Sequence, residues 1–249
     1  MSVAASAQPF IPHRVPVDHA DIILDCDGYI FGEHSLCAAV ATEMERVLGA
    51  LAHADFGGRD GAGGVPLHRV PVVRYRVRGR RPHLHIVGPL AHQHARAVLT
   101  HLTALRTPTG DVLPVRPSAT LHTTESIGVH RRFWHEYALI SPVMPARVAI
   151  DRMPRKGAAW ALDAWAQAYV TSALTTLLES LGATVAVPLY TRLVDPVIHR
   201  VTFGSCETIP AIGGTLVTNA RVPDGIGLGA RTAFGFGEMR LQRMTESRS

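Results

Sequence analysis

The chain has 249 residues, 47% of them hydrophobic, and a formal net charge of +5. That length and apolar content suit one large or two small packed domains, and the basic balance suits an anionic partner without identifying it. Cys26, Cys37 and Cys206 are odd in number and contain no C-x-x-C pair, which argues against a zinc ribbon or a disulfide framework.

No apolar run approaches about eighteen residues, so no membrane span is expected. Met1 to Val17 is Ala/Pro-rich without the apolar core of a signal peptide. A cytoplasmic protein with reduced thiols is the expectation. Lys156 is the only lysine, so nearly every cation is a guanidinium, a group suited to phosphate contact and base stacking.

In chain order, Asp21 to Cys26 reads as a first strand. Gly32-Glu33 opens a helix whose Leu36, Val40, Met44, Val47, Leu48 and Leu51 form one apolar stripe. His53 to Gly64 is a glycine-rich loop. Val70 to Val77 alternates Val73, Tyr75 and Val77 with Arg74, Arg76 and Arg78, the period of a strand with one wet face. Gly79 to Pro82 turns the chain into a strand over His83 to Val87. A second helix is predicted from Gly88-Pro89 to about Arg106, then an extended stretch from Val112 to about His122.

The first half thus reads β-α-β-β-α-β, a ferredoxin-like (RRM-like) unit. The polar segment Thr123 to Arg131 is the expected junction. Beyond it come a strand over Phe133 to Ser141 and a long helix with Trp160, Ala164, Trp165, Ala168, Leu174, Leu177, Leu178 and Leu181 on its apolar face. Gly182 is the expected stop. Val185 to Leu193, Ile198 to Phe203 and Gly214 to Arg221 are strand candidates, and Glu238 to Gln242 closes the set. The fold class is α+β: two tandem ferredoxin-like βαββαβ domains, over 21–125 and 126–249, after an N-terminal extension over 1–20.

The C-terminal run Gly225-Ile226-Gly227-Leu228-Gly229-Ala230-Arg231-Thr232-Ala233-Phe234-Gly235-Phe236-Gly237 holds five glycines in thirteen residues. Such a loop permits close backbone approach, can form an anion-holding nest of N–H groups, and here carries the planar donor fork of Arg231. It lacks the Lys-Ser/Thr ending of a P-loop and no βαβ unit follows, so an ATP or NAD site is not expected. With Thr218-Asn219 and Pro223-Asp224 ahead of it, the run resembles the signature of the Cas-six family of CRISPR repeat-RNA processing endoribonucleases, closest to the b-type branch. Gly227 to Gly237 supplies the pattern G-x-G-x-x-x-x-x-G-F-G. Two positions depart: Ala230 replaces a lysine and Ala233 a serine. Arg69 to Arg76 is similar to the family's first-half strand motif.

The resemblance implies a metal-independent, cofactor-free endoribonuclease. A 2′-hydroxyl attacks the adjacent phosphodiester and leaves 2′,3′-cyclic phosphate and 5′-hydroxyl ends. Such chemistry needs a base, an acid and cations for the developing charge, and histidine suits the first two. Of fourteen histidines, the resemblance points first to His53, in Ala52-His53-Ala54-Asp55, where Asp55 occupies the place of a second histidine. His34, His68 and Tyr29 are the nearest further candidates. His83-x-His85 and His92-x-His94 with His101 lack a completing carboxylate or cysteine, so a metal centre is not expected.

The expected RNA-binding set joins Gly225, Gly227, Gly229, Arg231, Gly235 and Gly237 to a basic track of Arg74, Arg76 and Arg78 and a cluster of Arg155 and Lys156. The partner implied is a CRISPR repeat-RNA stem-loop, with other effector-complex subunits as further candidates and a monomer or homodimer as the assembly. The alternative reading is a subunit that binds repeat RNA without cutting it, and a third is a structural subunit with no RNA selection of its own.

Overall fold

In the computed structural model the described residues are 15–26, 28–29, 31–49, 56, 73–154, 159–183, 187–203 and 207–246. His53, Asp55, His68, Arg155, Lys156 and Cys206 lie outside them, as do residues 1–14 and the loop His53 to Gly64 apart from Phe56. The elements run β1 (Val15–Asp25), α1 (Glu33–Leu48), β2 (Val73–Arg78), β3 (Arg81–Val87), α2 (Ala91–His101), β4 (Ala104–Arg106), β5 (Val112–Pro114) and β6 (Arg116–Val129). They continue with β7 (Phe133–Leu139), α3 (Arg147–Asp151), α4 (Ala159–Ser180), β8 (Thr191–Phe203), β9 (Glu207–Thr218), β10 (Ala220–Arg221) and β11 (Met239–Glu246).

Two antiparallel sheets, in the orders β10-β6-β1-β3-β2 and β11-β7-β9-β8, organise nine of these strands, and β4 and β5 pair as a two-stranded ribbon. With β10 set aside, each sheet places its fourth strand beside its first and its third between first and second. That is the ferredoxin-like order, so the fold is α+β with two tandem ferredoxin-like units.

The units do not divide at the expected boundaries. β1 begins at Val15, inside the segment read as an extension, because 15–20 pair with β6. β6 runs through the expected junction to Val129. β10 then returns from the second unit and pairs Ala220 with Val129 on the first sheet.

The first core joins α1, α2 and one face of the first sheet through Leu36, Val40, Met44, Tyr75, Leu84, Ile86 and Val98. Acidic Glu33 in the first turn of α1 complements the helix dipole. Tyr75 Oη donates to the Phe56 carbonyl (2.7 Å), tying the chain after α1 to that core. α2 ends at His101, short of the expected Arg106, because the following residues form β4 and pair with β5.

The second core packs Val170, Leu174, Leu177 and Leu178 of α4 onto Tyr137, Leu193 and Leu216. Trp160, at 72% exposure, faces away from it, as do Ala164 and Ala168. A helix apolar on most sides gives no single stripe from which to choose. Gly182 ends α4 as expected. Its φ is +79°, and Ala183 N donates to Leu178 O (2.9 Å) in the Schellman pattern. β8 is one strand where two were expected; a register shift between Val194 and Val197 lets Asp195 and Pro196 interrupt its pattern without ending it. Among the described residues no helix is long and apolar enough to cross a membrane.

Candidate functional site

A ferredoxin-like unit carries a second helix between its third and fourth strands. In the second unit that connection is the glycine-rich segment, with a single 3-10 turn over Thr232–Phe234. The segment folds back as a layered loop. Leu228 N donates to Gly237 O (2.9 Å), Met239 N to Ile226 O (3.0 Å) and Gly225 N to Met239 O (2.8 Å). It is stapled to the strand exit after β7, where Gly237 N donates to Pro142 O (3.0 Å) and Ala230 N to Met144 O (2.8 Å). Ser141 Oγ donates to Gly235 O (2.6 Å) and accepts from Glu238 N (2.9 Å).

The glycines are explained first by space. A Cβ on Gly237 would meet Leu228 O at 1.9 Å, at a φ of +67°. A Cβ on Gly227 would meet Thr232 Cβ at 2.5 Å, and one on Gly229 would meet Met144 O at 2.8 Å. The amides of Gly225, Gly235 and Gly237 are engaged within the protein, so these three do not form the nest expected from their spacing. Arg231 has φ +57°, in the left-handed region that non-glycine residues rarely adopt.

The first half reaches the loop through β2. Arg74 is 3% exposed; its Nε donates to Thr232 O (3.0 Å), its Nη2 to Phe236 O (3.3 Å) and its Nη1 to Gly225 O. Arg76 Nη2 also donates to Gly225 O (2.6 Å) and pairs with Glu238 Oε2 (3.2 Å), while Arg78 Nη2 lies 3.4 Å from Glu238 Oε1. The wet face expected of β2 is therefore corrected for Arg74 and Arg76. Both are buried, and their donors face loop carbonyls in place of RNA phosphate. Burial lowers the Arg74 pKa most, the neighbouring Arg76 charge next, to about 9, which leaves it charged at neutral pH. Arg78 keeps 56% of its side chain exposed.

α1 supplies the other wall. His34 is exposed and its ring stacks on Phe234 of the loop, centroids 5.0 Å apart and planes at 23°. Glu33 lies against Gly235, where a Cβ would come within 2.6 Å of Oε2. Desolvation raises the Glu33 pKa, opposed by its hydrogen bond with the Val77 backbone and by the charges of Arg74 and Arg76. Tyr29 is half-buried and packs edge-on against Phe31 (4.7 Å, 68°).

Of the expected catalytic candidates in the described residues, the structure brings His34 to the loop. It places Tyr29 against the first core. Glu33, Ser141, Phe234 and Glu238 also shape the site, and sequence reasoning did not single them out. Phe234 and Glu238 lie in or beside the glycine run and were open to notice there. Glu33 and Ser141 gave no signal beyond an acid in a first helical turn and a serine after a strand. Among the described residues no group of three or more His, Cys, Asp or Glu converges as a metal site.

Among solved structures, a crystal structure of Cas6b superposes with a TM-score of 0.69, covering 92% of this chain and 100% of that one at 14% identity. The chain has the Cas6 fold. A second Cas6b structure, described as a CRISPR RNA processing endoribonuclease, gives a TM-score of 0.62 at 13% identity, with the same two coverages. A RAMP protein described as binding different RNA substrates gives 0.53 at 11%, again over 92% of this chain and all of that one. No family model matches the sequence, and no curated protein matches it. The Cas6 fold thus agrees with the resemblance carried by the glycine-rich motif.

Proposed function

We propose that the chain belongs to the Cas6 family, near its b-type branch, and cleaves CRISPR repeat RNA without a metal, through 2′-hydroxyl attack. The observation that carries this reading is the stacking of His34 on Phe234. It sets an exposed imidazole from the first unit against the glycine-rich loop of the second. His34 is the group that takes the 2′-hydroxyl proton, and its solvent exposure leaves the ring accessible to RNA. His53 and His68 remain candidates for the leaving-group proton, with Tyr29 behind them. Arg231, Arg78, Arg155 and Lys156 are the cations assigned to RNA phosphates.

The test is incubation of the purified chain with its cognate repeat RNA in EDTA. Cleavage that leaves 2′,3′-cyclic phosphate and 5′-hydroxyl ends supports the proposal. Tight binding with no product supports the non-cleaving reading, which is favoured by Asp55 standing where the resemblance expects a second histidine.

A further inference from the structure

The two faces of the second sheet are covered unequally: opposite α4, Ile209 and Ala211 at one end are buried against Met144 and Phe236, while Arg192 and Arg243 at the other end are exposed. α4 packs onto the face that carries Tyr137, Leu193 and Leu216. On the opposite face Arg192 of β8, Glu136 of β7 and Arg243 of β11 align in one row through Val217 of β9. Arg240 stands in the next row, opposite Ala138. Arg192, Arg240 and Arg243 are exposed, and Glu136 and Val217 half-buried.

At the end of this face the rings of Trp134 and Tyr190 lie 6.2 Å apart. Tyr190 is 56% exposed, yet its backbone is fixed. Tyr190 N donates to Asn219 Oδ1 (2.8 Å), and Tyr190 O accepts from Thr218 Oγ1 (2.8 Å) and Asn219 N (3.2 Å). Asn219 is itself buried, and its Nδ2 donates to Pro188 O (3.0 Å).

We propose that this face is a second RNA-binding surface, separate from the loop site, which takes unpaired RNA by stacking bases on Trp134 and Tyr190 and holding phosphates with Arg192, Arg240 and Arg243. Three arginines against one glutamate give the face the sign that phosphate requires. Arg192 and Arg243 stand three strand spacings apart, about 14 Å, which suits an extended single strand. The pair stands on ordered backbone before the base arrives, with Tyr190 exposed and Trp134 half-buried, and aromatic faces beside guanidinium groups are how single strands are held without sequence readout. The assignment rests on the chain being an RNA-binding protein; it does not depend on where or whether the chain cuts.

The experiment measures the affinity of the full chain for a fluorescent oligouridylate 12-mer, a probe with no stem, by anisotropy at fixed salt. Trp134→Ala and Tyr190→Ala are each expected to weaken binding about tenfold, with Trp134→Tyr close to the unaltered protein. Arg243→Glu is expected to weaken it and to flatten its salt dependence. Unchanged thermal unfolding of each variant shows that the fold is retained. The probe carries no stem and its binding is read without cleavage, so a failure of the cleavage reading leaves this result standing. Affinity within twofold of the unaltered protein in both aromatic variants overturns the proposal. So does equal displacement of the probe by polyglutamate at matched charge, which would mark the face as a surface for an acidic protein partner.

Discussion

The guanidinium of Arg74 donates to the carbonyl of Gly225, 151 residues further along the chain. This bond, with those to Thr232 and Phe236, joins the middle of the first unit to the loop of the second. Arg74→Ala removes the donor to three carbonyls and leaves a gap beside Gly227. Gly225 O keeps its bond from Arg76 and Thr232 O its bond from Gly235 N, so the loss falls mainly on the Phe236 carbonyl. An unsatisfied buried polar group costs about 1–3 kcal/mol, and a loss of that order is expected, read as a lower urea midpoint. Arg74→Lys is expected to recover little, since one ammonium cannot reproduce the planar fork.

Gly237→Ala is expected to be among the most damaging single-methyl changes in the loop. The new Cβ falls 1.9 Å from a backbone oxygen at positive φ, and backbone on both sides is tied by hydrogen bonds. Gly235→Ala meets the Glu33 carboxylate at 2.6 Å, the far end of a side chain that can turn away. Thermal unfolding should rank Gly237→Ala well below Gly235→Ala, and loop-dependent RNA binding should follow the same order.

Acidification should destabilise the protein through His135 and His19. Burial lowers each from 6.5 to about 4, with neighbouring histidines adding to the shift: His130 beside His135, and His85 and His122 beside His19. Between pH 6.5 and 4 the unfolded chain binds more protons than the folded one, so stability is intact above pH 6.5 and is lost as the pH falls towards 4. Melting temperatures measured from pH 7 to 4 should fall, and His135→Phe should flatten the decline.

Glu33 has the opposite sign. Its folded pKa is raised above 4.5, so the folded state binds the extra proton and stability rises as the pH falls through that window. Glu33→Gln should therefore stabilise the protein at pH 7, with a gain that disappears below pH 4.5. A constant difference between the two proteins from pH 7 to 4 would remove this account of the carboxyl group.

The sequence pattern was enough for the order of the first unit, because its strands alternate and α1 has a one-sided stripe of Leu36, Val40 and Met44. It was also enough for the stop at Gly182, where a local backbone rule decides. Arg74 and Arg76 misled for a physical reason. Alternation records which side chains share a face, and only the folded chain supplies the carbonyls of Gly225, Thr232 and Phe236 that cover this one. The glycine run was legible as a candidate site, while its steric role was not, since the atoms that crowd Gly229 and Gly235 come from 143–144 and from Glu33.

The partnership of α1 with the loop was equally hidden. His34 could be named as a candidate from its place at a helix start, but its neighbour Phe234 lies two hundred positions further along the sequence. The two met only because the second unit replaces a helix with a loop that reaches the first.

The most direct measurement is single-turnover cleavage of the cognate repeat RNA in EDTA by the unaltered chain and by His34→Ala, with RNA affinity measured in parallel. The account predicts that His34→Ala lowers the cleavage rate at least about a hundredfold while affinity changes less than threefold. Cleavage by His34→Ala at the unaltered rate would contradict it.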